Sequence, residues 1–142
     1  MKKIIIGYTQ GTFDTLHYGH IRLLKNAKKY CDYLVVGVNS DRLVLEYKNK
    51  ETIVKEAERK EIVESIKYCD KAIVVDSLDK IDKAKTIGFD ICFIGSDWQN
   101  NPRWIETEKN LKQIGVKVVF LPYTKGISSS IVRQKIADKE KN

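Results

Sequence analysis

An α/β architecture is predicted by two features of this sequence. Five short β-branched runs alternate with amphipathic helical stretches, and the runs show little alternation of apolar with polar residues. Strands of that kind are buried on both faces, as in a parallel sheet covered by helices. The polar clusters agree: they follow the first, fourth and fifth strands, at the ends where ligands bind in such sheets. The prediction is a Rossmann-like three-layer sandwich with a five-stranded parallel sheet, one domain over residues 1–142.

The first strand is Ile4–Tyr8, drawn from the run Ile4-Ile5-Ile6. It leads through Gly11-Thr12-Phe13-Asp14-Thr15-Leu16-His17-Tyr18-Gly19-His20 into a helix over about Tyr18–Tyr30, patterned by Ile21, Leu23, Leu24 and Ala27. Tyr33–Asn39 forms the second strand, and a long polar connection carrying Lys48-Asn49-Lys50 follows. In the helix over Ile53–Ser65, the interleaved charges of Lys55-Glu56-Ala57-Glu58-Arg59-Lys60-Glu61 read as a solvated face. The third strand is Lys71–Val75, then come a helix over Lys80–Ile87 and a fourth strand, Ile91–Gly95. The polar stretch Ser96–Arg103 precedes a helix over Trp104–Gln113 and the fifth strand, Val116–Leu121. A last helix covers Ser129–Lys139, and the charged tail from Asp138 is expected to fray.

Composition excludes several classes. The chain has 142 residues, 42% hydrophobic and 32% charged, and no apolar run approaches the length that spans a bilayer. The N-terminal Met1-Lys2-Lys3 runs straight into a strand, which leaves no room for a signal peptide and points to the cytoplasm. Cys31, Cys69 and Cys92 are odd in number, far apart and set beside apolar runs, so they read as small buried thiols. A net charge of +7 raises nucleic acid as a partner, but there is no Arg-rich tract and no nucleic-acid module. Attraction of small anionic substrates accounts for the excess.

The segment Gly11–His20 carries the chemistry. A glycine turn between strand and helix leaves backbone N–H groups free at a helix start, where the dipole favours an anion. His17 and His20, the only two histidines, stand three apart on one helix face, and Gly19 between them lets a ligand approach the backbone. They could share a metal ion, but no Cys or third His stands at a ligand's spacing. Gly126-Ile127-Ser128-Ser129-Ser130, followed by Ile131-Val132-Arg133, supplies a second anion-receptive helix start. Together these parts would hold a polyphosphate.

The order GTFD…HYGH, the Lys48-x-Lys50 loop, Gly95-Ser96-Asp97-Trp98 and Gly126-Ile127-Ser128-Ser129 resemble the glycerol-3-phosphate cytidylyltransferase family, within the HIGH-motif nucleotidyltransferases. The similarity runs through nearly the whole chain, including Asp32–Val36, Glu58–Lys60 and Ile66–Asp70. The resemblance implies nucleotide contacts for Gly11, Thr12, Phe13, His17, Gly19, His20 and Lys50, with Asp97 and Trp98 selecting cytosine. It also implies that Tyr123, Thr124, Gly126, Ile127, Ser128, Ser129 and Ser130 close over the triphosphate, within reach of Arg133. Lys48 would touch the acceptor phosphate. Asp14, Lys67 and Lys80 would serve the substrate side, Asp14 through metal or water. Where the family reads Arg-Thr-Glu-Gly-Ile-Ser-Thr-Thr, this chain has Tyr123-Thr124-Lys125-Gly126-Ile127-Ser128-Ser129-Ser130, so a rigid phosphate-binding fork is missing and Lys125 or Arg133 compensates. Lys67 likewise stands where the family has arginine.

The implied reaction is cytidylyl transfer from CTP to a small phosphorylated alcohol, with glycerol 3-phosphate the default acceptor. The catalytic residues would be His17, His20 and Lys48, and Mg²⁺ would ride on the CTP phosphates without a protein cage. A homodimer, no nucleic-acid partner, no membrane insertion and a role in cell-surface polymer synthesis complete the expectation. The alternatives are a cytidylyltransferase for phosphoethanolamine or phosphocholine, a related adenylyltransferase, and an idle nucleotide-binding module.

Overall fold

In the computed structural model, five short strands among the described residues join one sheet. The described residues are 3–96, 99–122 and 129–140. In chain order the elements are β1 (Ile6–Gly11), α1 (Tyr18–Lys28), β2 (Tyr33–Asn39), α2 (Asp41–Lys48), α3 (Glu56–Glu64) and β3 (Lys71–Val75). They continue with α4 (Lys80–Ile87), β4 (Ile91–Gly95), α5 (Pro102–Gln113), β5 (Lys117–Leu121) and α6 (Ser129–Glu140). All pairings are parallel, in the order β3-β2-β1-β4-β5. The chain thus moves outward from β1 on one side, then returns to fill the other. The reversal beside β1 opens a crevice beyond the strands' C-terminal ends.

Two apolar layers hold the sheet between helices. Leu34, Val36 and Val38 of β2 turn one way, onto Leu24 and Ala27 of α1 and Val63 of α3. Val35 turns the other way, with Tyr8, Cys92 and Val118, onto Ala84 of α4 and Leu111 of α5. Six of the seven residues of β2 are buried, as a doubly covered central strand requires. The three-layer α/β sandwich is therefore as predicted. The three thiols are free, with Cys69 and Cys92 buried and Cys31 half-buried.

The element boundaries differ from the sequence reading in instructive places. β1 runs Ile6–Gly11 rather than Ile4–Tyr8, because Ile4 is 65% exposed while Thr9 is buried with its hydroxyl donating to the Phe93 carbonyl at 3.1 Å. A satisfied threonine continues the strand where the apolar run has ended. The connection after β2 is not all loop. Ser40 caps α2 by accepting the Leu43 N–H at 3.1 Å, and Asn49 closes it in the left-handed region at φ 54°. Only Leu43 and Val44 are buried in that helix, too few to show a period in the sequence. The next helix begins at Glu56 instead of Ile53, because the N–H groups of Ile53 and Val54 are taken by a side chain elsewhere. Likewise Asn101 caps α5 and Pro102 occupies its first position, earlier than the predicted Trp104.

Candidate active site

β1 ends at the crevice, and Gly11–Leu16 carries the chain from it to α1. Phe13 and Thr15 both adopt positive φ, 53° and 50°, a conformation that costs non-glycine residues energy and clusters at functional sites. Phe13 is held there by burial, at 5% exposure, and Thr15 by its hydroxyl donating to the Asp14 carbonyl at 2.6 Å.

The two histidines form the helix start itself. His17 is the N-cap of α1, and its Nδ1 accepts the Gly19 N–H at 3.0 Å. His20 reaches back so that its Nδ1 accepts the His17 N–H at 3.2 Å. This is a capping box built from imidazoles. A neutral ring that accepts at Nδ1 bears its proton on Nε2, so both rings are set as Nε2–H donors. The rings stack with centroids 3.9 Å apart. Burial lowers His17, and burial with the nearby His17 and Lys48 brings His20 down to about 4. Both are thus neutral donors at pH 7.

A cavity of about 310 Å³ opens beside them. The structure brings Thr12, Phe13, Asp14, His20, Lys48, Lys50 and Arg133 together on its wall, from four separate stretches of sequence. Three of these are cations. Lys48 is the last residue of α2 rather than part of a loop, and its Nζ donates to Thr12 Oγ1 at 3.3 Å. The lining adds Val44, Glu51 and Thr52, which the sequence reading did not single out.

Asp14 does structural work at the base of the cavity. Its side chain is 2% exposed; Oδ2 accepts the Ile53 N–H at 2.8 Å and Oδ1 the Val54 N–H at 2.9 Å, and Arg133 Nη2 donates to Oδ2 as well. Burial pushes this carboxyl up, but the two backbone donors and the guanidinium outweigh it and hold it below the usual range. The carboxylate thereby ties α6 and the 50–54 segment to the turn after β1. Arg133 is anchored on Asp14 while its Nε is buried without a hydrogen-bond partner among the described residues.

Arg59, which the interleaved charges of its segment set on a solvated face, is instead fully buried. Its Nη1 donates to the carbonyls of Thr12 and Asn39, both at 2.7 Å, its Nε to the Val54 carbonyl at 2.8 Å, and its Nη2 to Asp41 Oδ1 at 2.7 Å. It pins the turn, the end of β2 and the start of α2 to one guanidinium. The available signal was its position four residues before buried Val63, on the inward face of α3.

Lys67 does not line this cavity. It lies between α3 and β3, at the N-terminal edge of the sheet and opposite the crevice, with Nζ 5.2 Å from the Tyr68 ring centroid. Lys80 opens α4 on the crevice edge but does not line the cavity; its Nζ donates to the Leu78 carbonyl at 3.0 Å and sits 5.4 Å from the Trp104 ring centroid. Burial brings this ammonium down to about 8. Gly11 closes β1 ahead of the His pair, and Gly19 lies in the first turn of α1, between the two histidines. Asp97, Trp98, Tyr123, Thr124, Gly126, Ile127 and Ser128 lie outside the described residues, as do the side chains of Ser129 and Ser130, which open α6. Among the described residues no group of three or more His, Cys, Asp or Glu gathers to hold a metal ion.

Residues 8–135 match the cytidylyltransferase-like family model. The glycerol-3-phosphate cytidylyltransferase of Bacillus subtilis (strain 168) is 36% identical over 140 residues, covering 96% of this chain and 98% of that one. An FAD synthase of Ferroglobus placidus is 37% identical over 119 residues, 84% of this chain and 75% of its own. Among solved structures, a lipopolysaccharide core biosynthesis protein from Thermoplasma volcanium GSS1 superposes with a TM-score of 0.72 at 29% identity, over 88% of this chain and 100% of that one.

Proposed function

The chain belongs to the cytidylyltransferase-like family, and on that premise we propose that it transfers a cytidylyl group from CTP to a small phosphomonoester, glycerol 3-phosphate. An acceptor phosphate oxygen attacks the α-phosphorus of CTP, the bond from that phosphorus to the bridging oxygen of the β-phosphate breaks, and pyrophosphate leaves. The attacking oxygen is already ionised near pH 7, so no protein nucleophile is needed. Catalysis then comes from placement and from donors aimed at developing charge.

The observation that carries this reading is the cavity where His20, Lys48, Lys50 and Arg133 converge beside the His17 cap. His17 and His20 would donate Nε2–H to the nucleotide phosphates, Lys50 would hold the same phosphates, and Lys48 the acceptor. Lys80, on the same edge of the sheet, is assigned to the acceptor side, while Lys67 is not, given its place at the opposite edge. Asp97, Trp98 and the Tyr123–Ser130 segment keep the nucleotide roles that the resemblance implies. With Asp14 committed to backbone and Arg133, we assign it to shaping the cavity rather than to the substrate. Mg²⁺ is proposed to enter as part of the nucleotide substrate; among the described residues no group of three or more His, Cys, Asp or Glu would cage it.

No helix among the described residues is long and apolar enough to cross a membrane. A cytoplasmic homodimer supplying an activated alcohol for cell-surface polymer synthesis is the setting we propose. One relative favours a second reading: the FAD synthase likeness fits adenylyl transfer from ATP. Pyrophosphate release from CTP, ATP, GTP and UTP with Mg²⁺ separates the two. The panel of acceptors is glycerol 3-phosphate, phosphoethanolamine, phosphocholine and FMN, with mass spectrometry for the conjugate. CTP with glycerol 3-phosphate is expected to be the best pair. Preference for ATP would overturn cytidylyl transfer, and nucleotide binding without turnover would point to an idle module.

A further inference from the structure

Behind the cavity wall, hydrogen bonds between side chains run in a single direction toward Thr12. The direction is set by a backbone carbonyl, which can only accept. Gln10 Nε2 donates to the Ser77 carbonyl at 3.0 Å and to Asn39 Oδ1 at 2.9 Å, so its Oε1 must face the other way, where the Tyr8 hydroxyl donates to it at 2.5 Å. Asn39 is thereby fixed with its oxygen toward Gln10 and its nitrogen toward Tyr47, where Nδ2 donates to the phenol oxygen at 3.0 Å. A phenol oxygen that accepts from Asn39 keeps its own proton to give, and Thr12 Oγ1 lies 3.2 Å away to take it.

Thr12 Oγ1 meets further donors. Lys48 Nζ donates to it at 3.3 Å and Asn39 Nδ2 lies 3.5 Å away, and neither nitrogen can accept a proton in return. With its lone pairs facing Tyr47 and Lys48, the Thr12 hydroxyl has its own proton left to give, and Thr12 lines the cavity. Tyr8, the root of the chain, is fully buried, and a Cβ at Gly37 would collide with its hydroxyl. The glycine is therefore required for the network to form.

We propose that Tyr47, oriented by Asn39, is a positioning residue that turns the Thr12 hydroxyl into the cavity as a donor to the acceptor's phosphate and steadies the Lys48 ammonium beside it. This rests on the acceptor reading given above, and it moves Thr12 from the nucleotide side, where the resemblance sets it, to the acceptor side beside Lys48. Neither Tyr47 nor Asn39 needs to touch the substrate. Their effect is to convert a hydroxyl that could accept or donate into one that only donates, which suits an anion and not a cation.

The test uses the full chain and Tyr47→Phe, which deletes one hydroxyl from a ring that is already 38% exposed and so leaves the fold in place. With CTP and glycerol 3-phosphate, kcat/KM for the acceptor is expected to fall roughly tenfold, about the worth of one hydrogen bond to a charged group, while KM for CTP and the melting temperature stay unchanged. Thr12→Val is expected to cost as much, and the double variant no more than Thr12→Val alone, since both remove one donor. An unchanged acceptor kcat/KM in Tyr47→Phe, or losses that multiply in the double variant, would overturn the proposal. If the parent chain forms no CDP-linked product at all, the functional reading fails separately. Calorimetric titration with inorganic phosphate then decides: weaker binding to Tyr47→Phe than to the parent supports the positioning role, and equal or absent binding in both refutes it.

Discussion

His17 and His20 stack with centroids 3.9 Å apart, and each commits its Nδ1 to a backbone N–H of the same helix start. One pair of side chains therefore caps a helix and presents two Nε2 donors. The roles can be separated. His17→Ala is expected to lower kcat about 100-fold, as loss of one transition-state donor does, and stability by about 1 kcal/mol through the lost cap. His17→Ser restores the cap alone. Urea midpoints and pyrophosphate release should part company in that variant; full turnover in His17→Ser would remove the ring from catalysis.

Acid should weaken the fold through His20. Its ring lies at about 4 in the folded chain against an ordinary 6.5, chiefly from burial. Between those pH values the unfolded chain takes up a proton that the folded ring refuses, so stability drops as pH falls through the window. The loss is on the order of 3 kcal/mol when complete. His20→Gln is expected to flatten that part of the curve of urea midpoint against pH. Parallel curves for parent and variant would contradict this origin of acid sensitivity.

Arg59→Lys is expected to destabilise by about 3 kcal/mol, despite keeping the charge. A lysine cannot reproduce a fork that serves Thr12, Asn39, Val54 and Asp41 at once, and carbonyls left unpaired in the interior are costly. Chemical denaturation measures the loss. A change below about 1 kcal/mol would show that water or a shifted side chain replaces the fork.

Replacing Lys80 should stabilise, unlike Arg59→Lys. Its ammonium lies at about 8 folded against 10.5, from burial, so the unfolded chain holds more protons between those values and stability rises with pH across them. At pH 7 the buried charge is a burden. Lys80→Met is expected to raise the melting temperature there by about 4 °C, with the gain gone by about pH 10, and to raise KM for the acceptor. Scanning fluorimetry at both pH values settles the first part; a lower melting temperature at pH 7 would mean that the Leu78 and Trp104 contacts outweigh desolvation.

The legible parts of this molecule were local ones. Gly11–His20 announces a turn, a helix start and two imidazoles within ten residues, and the structure sets them at one cavity edge. β2, β3, β4 and α4 fall on their predicted residues because their apolar runs are continuous and end at caps. What escaped depends on partners far away in the chain. Arg59 looks like any charged residue among charged neighbours until Thr12, 47 positions earlier, folds against it. Asp14 carries no mark of the Ile53 and Val54 amides, 39 and 40 positions later, that decide its role. α2 was hidden because two buried residues in eight do not make a period, although Ser40-Asp41 and Asn49 are sound caps in hindsight.

Asp14 has a consequence for the timing of assembly. Five strands can pair, and the imidazoles can cap their helix, before α6 has been made, while the Arg133 guanidinium that donates to the carboxylate comes only with α6. On the ribosome, this protein should acquire its sheet first and its working pocket last, when Arg133 arrives at Asp14 and closes the cavity wall. A nascent chain paused after β5 would be folded in outline and chemically silent.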